Sequence, residues 1–249
     1  GFRYGRVDVM MNLIDTHFHL DYYKNYPEIA KNITEQRQYT ICVTNSPGVF
    51  MSCKKIISET RYLKFAIGFH PRESLLCASD IRDFTRLIRL TNYVGEIGLD
   101  YSSESYMNKQ QQLRFFSQIV DICSSENKLM TIHIRKAEED AITILERYKP
   151  NKVIIHWYTG NRANMKKLVD LGCYFSINTN MVNSRASEKY HLLPRERLLI
   201  ESDGPYTKVN NRKYSPLLLK DAYEVIAKFY DNPDLIRDVY ENFKRILSV

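Results

Sequence analysis

Eight short runs rich in β-branched and apolar residues recur along this chain, their starts roughly 20–36 residues apart. They occupy residues 12–19, 39–45, 64–70, 93–99, 129–134, 152–157, 173–177 and 198–202. That interval holds one strand, one helix and two loops, and strands joined through a crossover helix run parallel. Eight such units in 249 residues predict an α/β protein folded as a single-domain (β/α)8 TIM barrel, a fold that takes about 250 residues. A doubly wound open sheet more often stops at about five to seven strands.

The intervening segments carry the period of surface helices. Over 108–128, Leu113, Phe116, Ile119, Val120 and Cys123 share one face of a 3.6-residue repeat, with Gln111, Arg114, Gln118 and Asp121 opposite. Tyr223, Ile226, Ala227 and Tyr230 repeat the pattern in a helix that Pro216 opens at its first turn. Leu235, Val239, Phe243 and Leu247 space a last helix over 234–247, placed to close the barrel's bottom or side. No linker-like tract divides the chain, so one domain is expected over residues 12–249. Residues 1–11 are set aside as an N-terminal extension, since Met11 immediately precedes the first strand-like run.

Composition narrows the class. No apolar run approaches the ~20 residues of a membrane helix, and residues 1–10 lack the apolar core of a signal peptide; a soluble, cytoplasmic protein without a membrane partner is expected. Cys42, Cys53, Cys77, Cys123 and Cys173 show no CxxC spacing and read as buried, reduced thiols. With 36 Lys+Arg against 29 Asp+Glu, the net charge of +7 suits a polyanionic partner.

The chemistry-bearing residues fall at strand ends. In Asp15-Thr16-His17-Phe18-His19-Leu20-Asp21, His17 and His19 stand at i and i+2 and project to the same side of a strand. Glu96 lies in an apolar, Gly-flanked strand, where an acid is costly to bury unless something positive neutralises it. His133 and His156 end the fifth and sixth runs, and Asp203 follows the eighth. These six donors, from five strand ends, gather at the barrel's C-terminal face, where barrel enzymes build their sites. Six exceed the four of a closed single-zinc site and suit two cations roughly 3.5–4 Å apart, bridged by a carboxylate. A hydrolase using two divalent ions (Zn, Mn, Mg, Ni or Co) is the reading that follows, with His-rich ligation favouring the first-row transition metals over Mg. Each donor has a bland alternative as a hydrogen-bonded core histidine or a helix-capping carboxylate. Just beyond strand ends, His70, Arg72, Arg135 and Lys136 are placed to grip phosphate, and Trp157, Tyr158, Tyr101 and Tyr206 to stack bases.

The stretches DTHFHLD (15–21), AIGFHP (66–71), VGEIGLDY (94–101), QQLRFFSQI (111–119), HIRKA (133–137), HWYTG (156–160) and LLIESDGPY (198–206) together resemble the TatD family of metal-dependent deoxyribonucleases, within the amidohydrolase-like barrels. The resemblance spans residues 12–247. It implies that His17, His19 and Asp203 hold one ion, that Glu96 bridges both, and that His133 and His156 hold the second, with Asp203 also the general base. It implies a DNase acting on single-stranded 3′ ends through water activated by two metals. Trp157 and the run GCYFSINTNMV (172–182) make the chain similar to the TatD-like component of Qat anti-phage defence systems, with other Qat proteins as partners. The family's usual TDSPY reads Ser202-Asp203-Gly204-Pro205-Tyr206 here. Two alternatives stay open: a small-molecule amidohydrolase or lactonase on the same metals, and a nuclease-like subunit acting mainly within a defence complex.

Overall fold

The apolar runs become parallel strands in a computed structural model that describes residues 11–73, 76–102 and 106–249. The strands are β1 (Ile14–Phe18), β2 (Tyr39–Cys42), β3 (Leu63–Phe65), β4 (Ile67–Phe69), β5 (Tyr93–Asp100), β6 (Leu129–Arg135), β7 (Val153–His156), β8 (Tyr174–Ile177) and β9 (Leu198–Ile200). Between them run α1 (Tyr26–Glu35), α2 (Pro47–Ile56), α3 (Ala78–Leu87), α4 (Lys109–Ser125), α5 (Glu138–Tyr148), α6 (Arg162–Asp170) and the short α7 (Thr179–Val182). All of the extension expected over residues 1–11 except Met11 lies outside the described residues.

β1, β2 and β3 form one parallel set and β4 to β9 another, in chain order. The single strand expected at 64–70 is therefore interrupted at Ala66. The cause is Thr44, whose hydroxyl donates to the Ala66 carbonyl (2.8 Å) and accepts the Gly68 N–H (3.1 Å), replacing ladder bonds with side-chain ones. The barrel closes where β9 meets β1: the Asp203 N–H donates to the His17 carbonyl (2.8 Å), the His19 N–H to the Gly204 carbonyl (3.0 Å) and the Thr16 hydroxyl to the Ile200 carbonyl (3.1 Å). This is the expected (β/α)8 barrel.

Strands β1, β7, β8 and β9 are buried along their whole length, as parallel strands covered on both faces must be. α4 buries Phe116, Ile119, Val120 and Cys123 as expected, but Leu113 is only half-buried and Phe115 and Gln112 take its place. Pro216 opens a 3-10 turn (Pro216–Leu218) that leads into α8 (Leu219–Tyr230). α9 (Leu235–Ser248) closes the bottom: the Asn242 amide donates to the carbonyl of Leu198, at the start of β9 (2.9 Å). Cys42, Cys53, Cys123 and Cys173 are buried free thiols, whereas Cys77 is exposed and departs from the expectation.

β5 carries the two acids on which the mouth is organised, Glu96 and Asp100, and it lies hard against β6. A Cβ on Gly98, whose φ is +147°, would sit 1.8 Å from the His133 carbonyl oxygen. Gly98→Ala must part β5 from β6 or twist out of a conformation that L side chains rarely adopt. A loss of about 3 kcal/mol or more in a denaturant melt is the expected outcome; a change under about 1 kcal/mol would contradict this account of the packing.

Candidate metal centre

The C-terminal ends of the strands deliver their polar side chains to one point. β1 supplies His17 and, one residue past its end, His19; β5 supplies Glu96, β6 His133 and β7 His156, and Asp203 follows β9. In the ladder His133 is paired with His156, and Gly98 with His133, so β5, β6 and β7 end in step. All six side chains expected to meet there do so.

They form two donor groups that share Glu96. Around Glu96 Oε1 stand His17 Nε2 at 3.1 Å and His19 Nε2 at 3.3 Å, with Asp203 Oδ1 at 3.5 and 3.2 Å from the same two nitrogens. Ligands about 2.0–2.1 Å from one ion in a tetrahedron lie roughly 3.3–3.4 Å apart, the size of these four nitrogen–oxygen separations; His17, His19 and Glu96 form a group able to hold a cation, with Asp203 beside the two histidines. Asp203 Oδ1 is buried and accepts no well-formed hydrogen bond, an arrangement whose cost a cation would remove. Around Glu96 Oε2 stand His133 Nδ1 at 3.0 Å, His70 Nε2 at 2.9 Å and His156 Nε2 at 3.6 Å; Asp203 Oδ2 lies 3.9 Å from His156 Nε2. This second group is looser and opens to the cavity, as a position that must admit substrate does.

The outward nitrogens fix which lone pairs face inward. His17 Nδ1 is held by the Thr131 hydroxyl (2.7 Å), His133 Nε2 by Asp100 Oδ2 (2.8 Å) and His156 Nδ1 by both oxygens of Glu201 (2.8 Å). A carboxylate only accepts, so His133 and His156 donate outward and turn an unprotonated nitrogen toward the centre when neutral. His70 differs: its Nδ1 accepts the Arg72 N–H (3.0 Å), so Nε2 carries the proton and donates to Glu96 Oε2. His70 thus steadies the carboxylate and lacks the free lone pair of a ligand. Glu201, fully buried, also accepts from Ser176 and from Asn178 Nδ2 (3.0 Å). Asp100 has its backbone clamped in both directions by the Gln112 amide (2.8 and 2.9 Å).

These orienting residues escaped the sequence reading, although Glu201 sits in an apolar strand end as Glu96 does and carried the same signal. Glu201→Gln and Asp100→Asn are expected to lower metal affinity by about 10–100-fold. Metal titration with a competing chelator measures this, and affinities within twofold of the parent would remove both residues from the role.

In the metal-free cluster the charges are held by protons. Burial opposes charge on His19 and His156, but Asp203 and Glu96 hold His19 up to about 10, and Glu201, Asp203 and Glu96 hold His156 up to about 9. Burial likewise opposes charge on Glu96, yet His70, His156 and His17 keep its carboxyl well below the usual range. Burial and the neighbouring His156, stacked on it at 3.6 Å, push His17 down. Beneath the centre, burial raises Asp15 to about 7, while its carboxylate ties β1 to β9 by accepting the His17 and Ser202 N–H groups (3.1 and 2.9 Å).

Above the cluster opens a cavity of about 730 Å³ whose wall includes His70, Arg72, Arg135, Trp157 and Tyr206. Tyr206 stands edge-on to the His19 ring at 5.5 Å and is 58 % exposed. Tyr22, unmarked in the sequence reading, stacks on His19 at 4.8 Å, and Asn45 donates to its hydroxyl (2.5 Å). Three expected contacts turn away from the site. Tyr158 is in the core with its hydroxyl on the Asn161 carbonyl (2.6 Å), Tyr101 donates to Asp140 (2.6 Å), and Lys136 is exposed outside the cavity wall. Gly204, where the sequence leaves the family pattern, has no room for a side chain: a Cβ would lie 2.4 Å from the Tyr214 ring and 2.6 Å from the Tyr23 hydroxyl.

Comparison with known proteins follows the same lines. The family model described as TatD-related DNase matches residues 14–248. The metal-dependent hydrolase YcfH of Escherichia coli K12 is 28 % identical over 261 aligned positions, covering 96 % of this chain and 97 % of its own. A Pantoea ananatis protein named 3'-5' ssDNA/RNA exonuclease TatD is 24 % identical, covering 97 % and 99 % of the two chains. The crystal structure of YjjV, a TatD homologue of E. coli K12, superposes with a TM-score of 0.82 at 18 % identity over 96 % of this chain and 99 % of that one, a likeness of fold.

Proposed function

The chain belongs to the TatD-related DNase family of metal-dependent hydrolases, and from that premise we propose that it is a deoxyribonuclease that removes nucleotides from single-stranded 3′ ends with two divalent cations. The observation that carries the reading is Glu96, whose two carboxylate oxygens serve two separate donor groups on the floor of an open cavity. His17, His19, Asp203 and Glu96 would hold one ion, and Glu96, His133 and His156 the other. Zn, Mn, Ni or Co suits this nitrogen-rich set better than Mg. The exonuclease name of the Pantoea relative supports attack at chain ends and keeps RNA among the substrates to be tested.

When bound, such an ion pair lowers the pKa of water toward neutrality and stabilises charge on phosphoryl oxygens. The protein's own groups supply the rest. Asp203, with Oδ1 committed to the first donor group, has Oδ2 left to take the proton of the attacking water as general base. Asp100 and Glu201 fix the tautomers of His133 and His156, so no proton must be rearranged as substrate enters. Arg135, exposed at the mouth, and Arg72 bring positive charge to a phosphate, while Trp157 and Tyr206 offer faces to unpaired bases. That positive charge favours a phosphodiester over an amide or lactone.

The Qat-like run 172–182 is spent inside the fold, where Ser176 and Asn178 hold Glu201; a place beside Qat partners, in the cytoplasm, is part of the proposal and rests on the sequence likeness alone. Metal-loaded protein given 5′-labelled and 3′-labelled oligonucleotides beside a lactone and amide panel tests the activity. Stepwise loss of the 3′ label, abolished by chelator, is expected; lactone or amide turnover with intact DNA overturns it. For the defence role, Glu96→Ala is expected to abolish protection against phage in plating assays, and full protection by that variant overturns an enzymatic part in it.

A further inference from the structure

At the opposite end of the barrel from the metal centre, the start of β1, the starts of β2 and β5, the segment 61–64 and one face of α9 enclose a second cavity of about 270 Å³. Its wall combines rings and cations: Tyr39, Tyr62 and Tyr240 with Arg61, Lys64 and Lys244. Tyr39 and Tyr62 lie 5.1 Å apart, Arg61 caps the Tyr62 ring at 5.9 Å, and Lys244 stands 6.0 Å over Tyr240. None of these three cations is ion-paired with a carboxylate among the described residues. The floor is apolar, from Ile14, Ile41 and Phe243.

We propose that this cavity is a binding site for a nucleoside monophosphate, with the base laid against the tyrosine rings and the phosphate on Arg61, Lys64 and Lys244. The volume falls just below the roughly 300 Å³ at which ligand pockets begin, so it limits the ligand to no more than one base-and-phosphate unit. Aromatic faces accept any base by stacking, and cations without carboxylate partners keep their full attraction for a dianionic phosphate. A purely structural cluster would pair its cations with acids, as Lys54 does with Glu59 nearby (3.3 Å). The assignment does not depend on the nuclease reading, because the barrel separates this site from the metal centre. Such a unit can reach the site as a free nucleotide or as part of a strand.

The test is calorimetric titration of the full chain with dAMP, with inorganic phosphate and with an oligo(dA) carrying no terminal phosphate, run on four proteins. They are the parent, Arg61→Glu/Lys244→Glu, Tyr62→Ala, and Arg72→Ala/Arg135→Ala at the metal-centre mouth. dAMP is expected to bind the parent saturably and at least tenfold more tightly than phosphate. Affinity should fall tenfold or more in Arg61→Glu/Lys244→Glu and in Tyr62→Ala, and stay within twofold in the mouth variant. Thermal melts of the two cavity variants matching the parent show that the loss is not unfolding. Oligo(dA) competing as well as dAMP makes the site one for a strand, still within the proposal. Absence of saturable dAMP binding overturns it, as does binding that survives both cavity variants or disappears only in the mouth variant.

Discussion

Glu96→Gln is expected to lower kcat/KM on a 3′-labelled single strand by at least about 10³-fold, roughly 4 kcal/mol of transition-state stabilisation. The size follows from geometry. Oε1 faces His17 and His19 while Oε2 faces His133, His70 and His156, so this one carboxylate presents an oxygen to each donor set. The amide keeps the shape but turns one oxygen into an NH₂, which cannot ligate and cannot accept the His70 proton. It also removes the negative charge that makes two neighbouring cations tolerable in a buried site. Metal content by elemental analysis should fall below that of the parent, with the looser second site emptied first. A cooperative melt separates this from misfolding. A variant with parent-like activity and metal content would remove Glu96 from the bridging role.

Metal removal should stabilise or destabilise the protein by an amount that depends strongly on pH, and the sign can be worked out. His19 and His156 titrate in the folded, metal-free protein at about 10 and about 9, against a usual 6.5. Their contribution to folding is complete below about 6.5 and is lost as pH rises through those folded values. Asp15, raised from 3.8 to about 7, adds a loss between those two points, since its buried carboxyl prefers its proton. Glu96 and Asp100 are depressed, so their contribution survives down to the carboxylate range and fails only in stronger acid. The metal-free protein is thus most stable in mild acid and weakens steadily toward pH 9–10.

Metal binding runs the other way, because an ion must displace the protons on His19 and His156. For each proton displaced, affinity climbs about tenfold per pH unit, worth roughly 1.4 kcal/mol of added stability at fixed metal concentration. The melting-temperature gap between loaded and chelated protein should therefore widen from pH 6 to pH 9. A gap that is constant or narrows over that range contradicts the proton-held cluster. Chelation at pH 8 should also abolish nuclease activity and restore it on adding Mn or Zn.

Much of this was legible in the order of residues. Strand-like runs at a βα interval are a local property, set by side-chain branching and period, and they placed every barrel strand, missing only the break at Ala66, which a hydroxyl 22 residues away imposes. The six principal donors were legible because a strand alternates its faces and because an acid such as Glu96 inside an apolar run needs a reason. The rim was less legible. Tyr158 and Tyr101 follow strand ends as Trp157 does, yet one packs in the core and another bonds to Asp140. Adjacency in sequence says nothing about which way a loop turns after the last ladder bond, and Trp157 and Asp203 turn with φ of +39° and +47°.

By itself, then, the sequence determined the barrel and which imidazoles and carboxylates meet at its mouth, because those depend on periodicity and on the rule that parallel strands end together. Only the tertiary structure decided which nitrogen of each histidine faces inward, that His70 donates to Glu96 as a steadying group, that Asp100, Thr131 and Glu201 hold the rings in place, and that Gly204 yields to Tyr23 and Tyr214. The physical reason is the range of the interactions. A strand's identity is settled within a few residues, whereas the ring of His17 is held by a hydrogen bond to a residue 114 positions away and the tautomer of His156 is set by a carboxylate 45 positions away, and such partners become neighbours only when the barrel has closed.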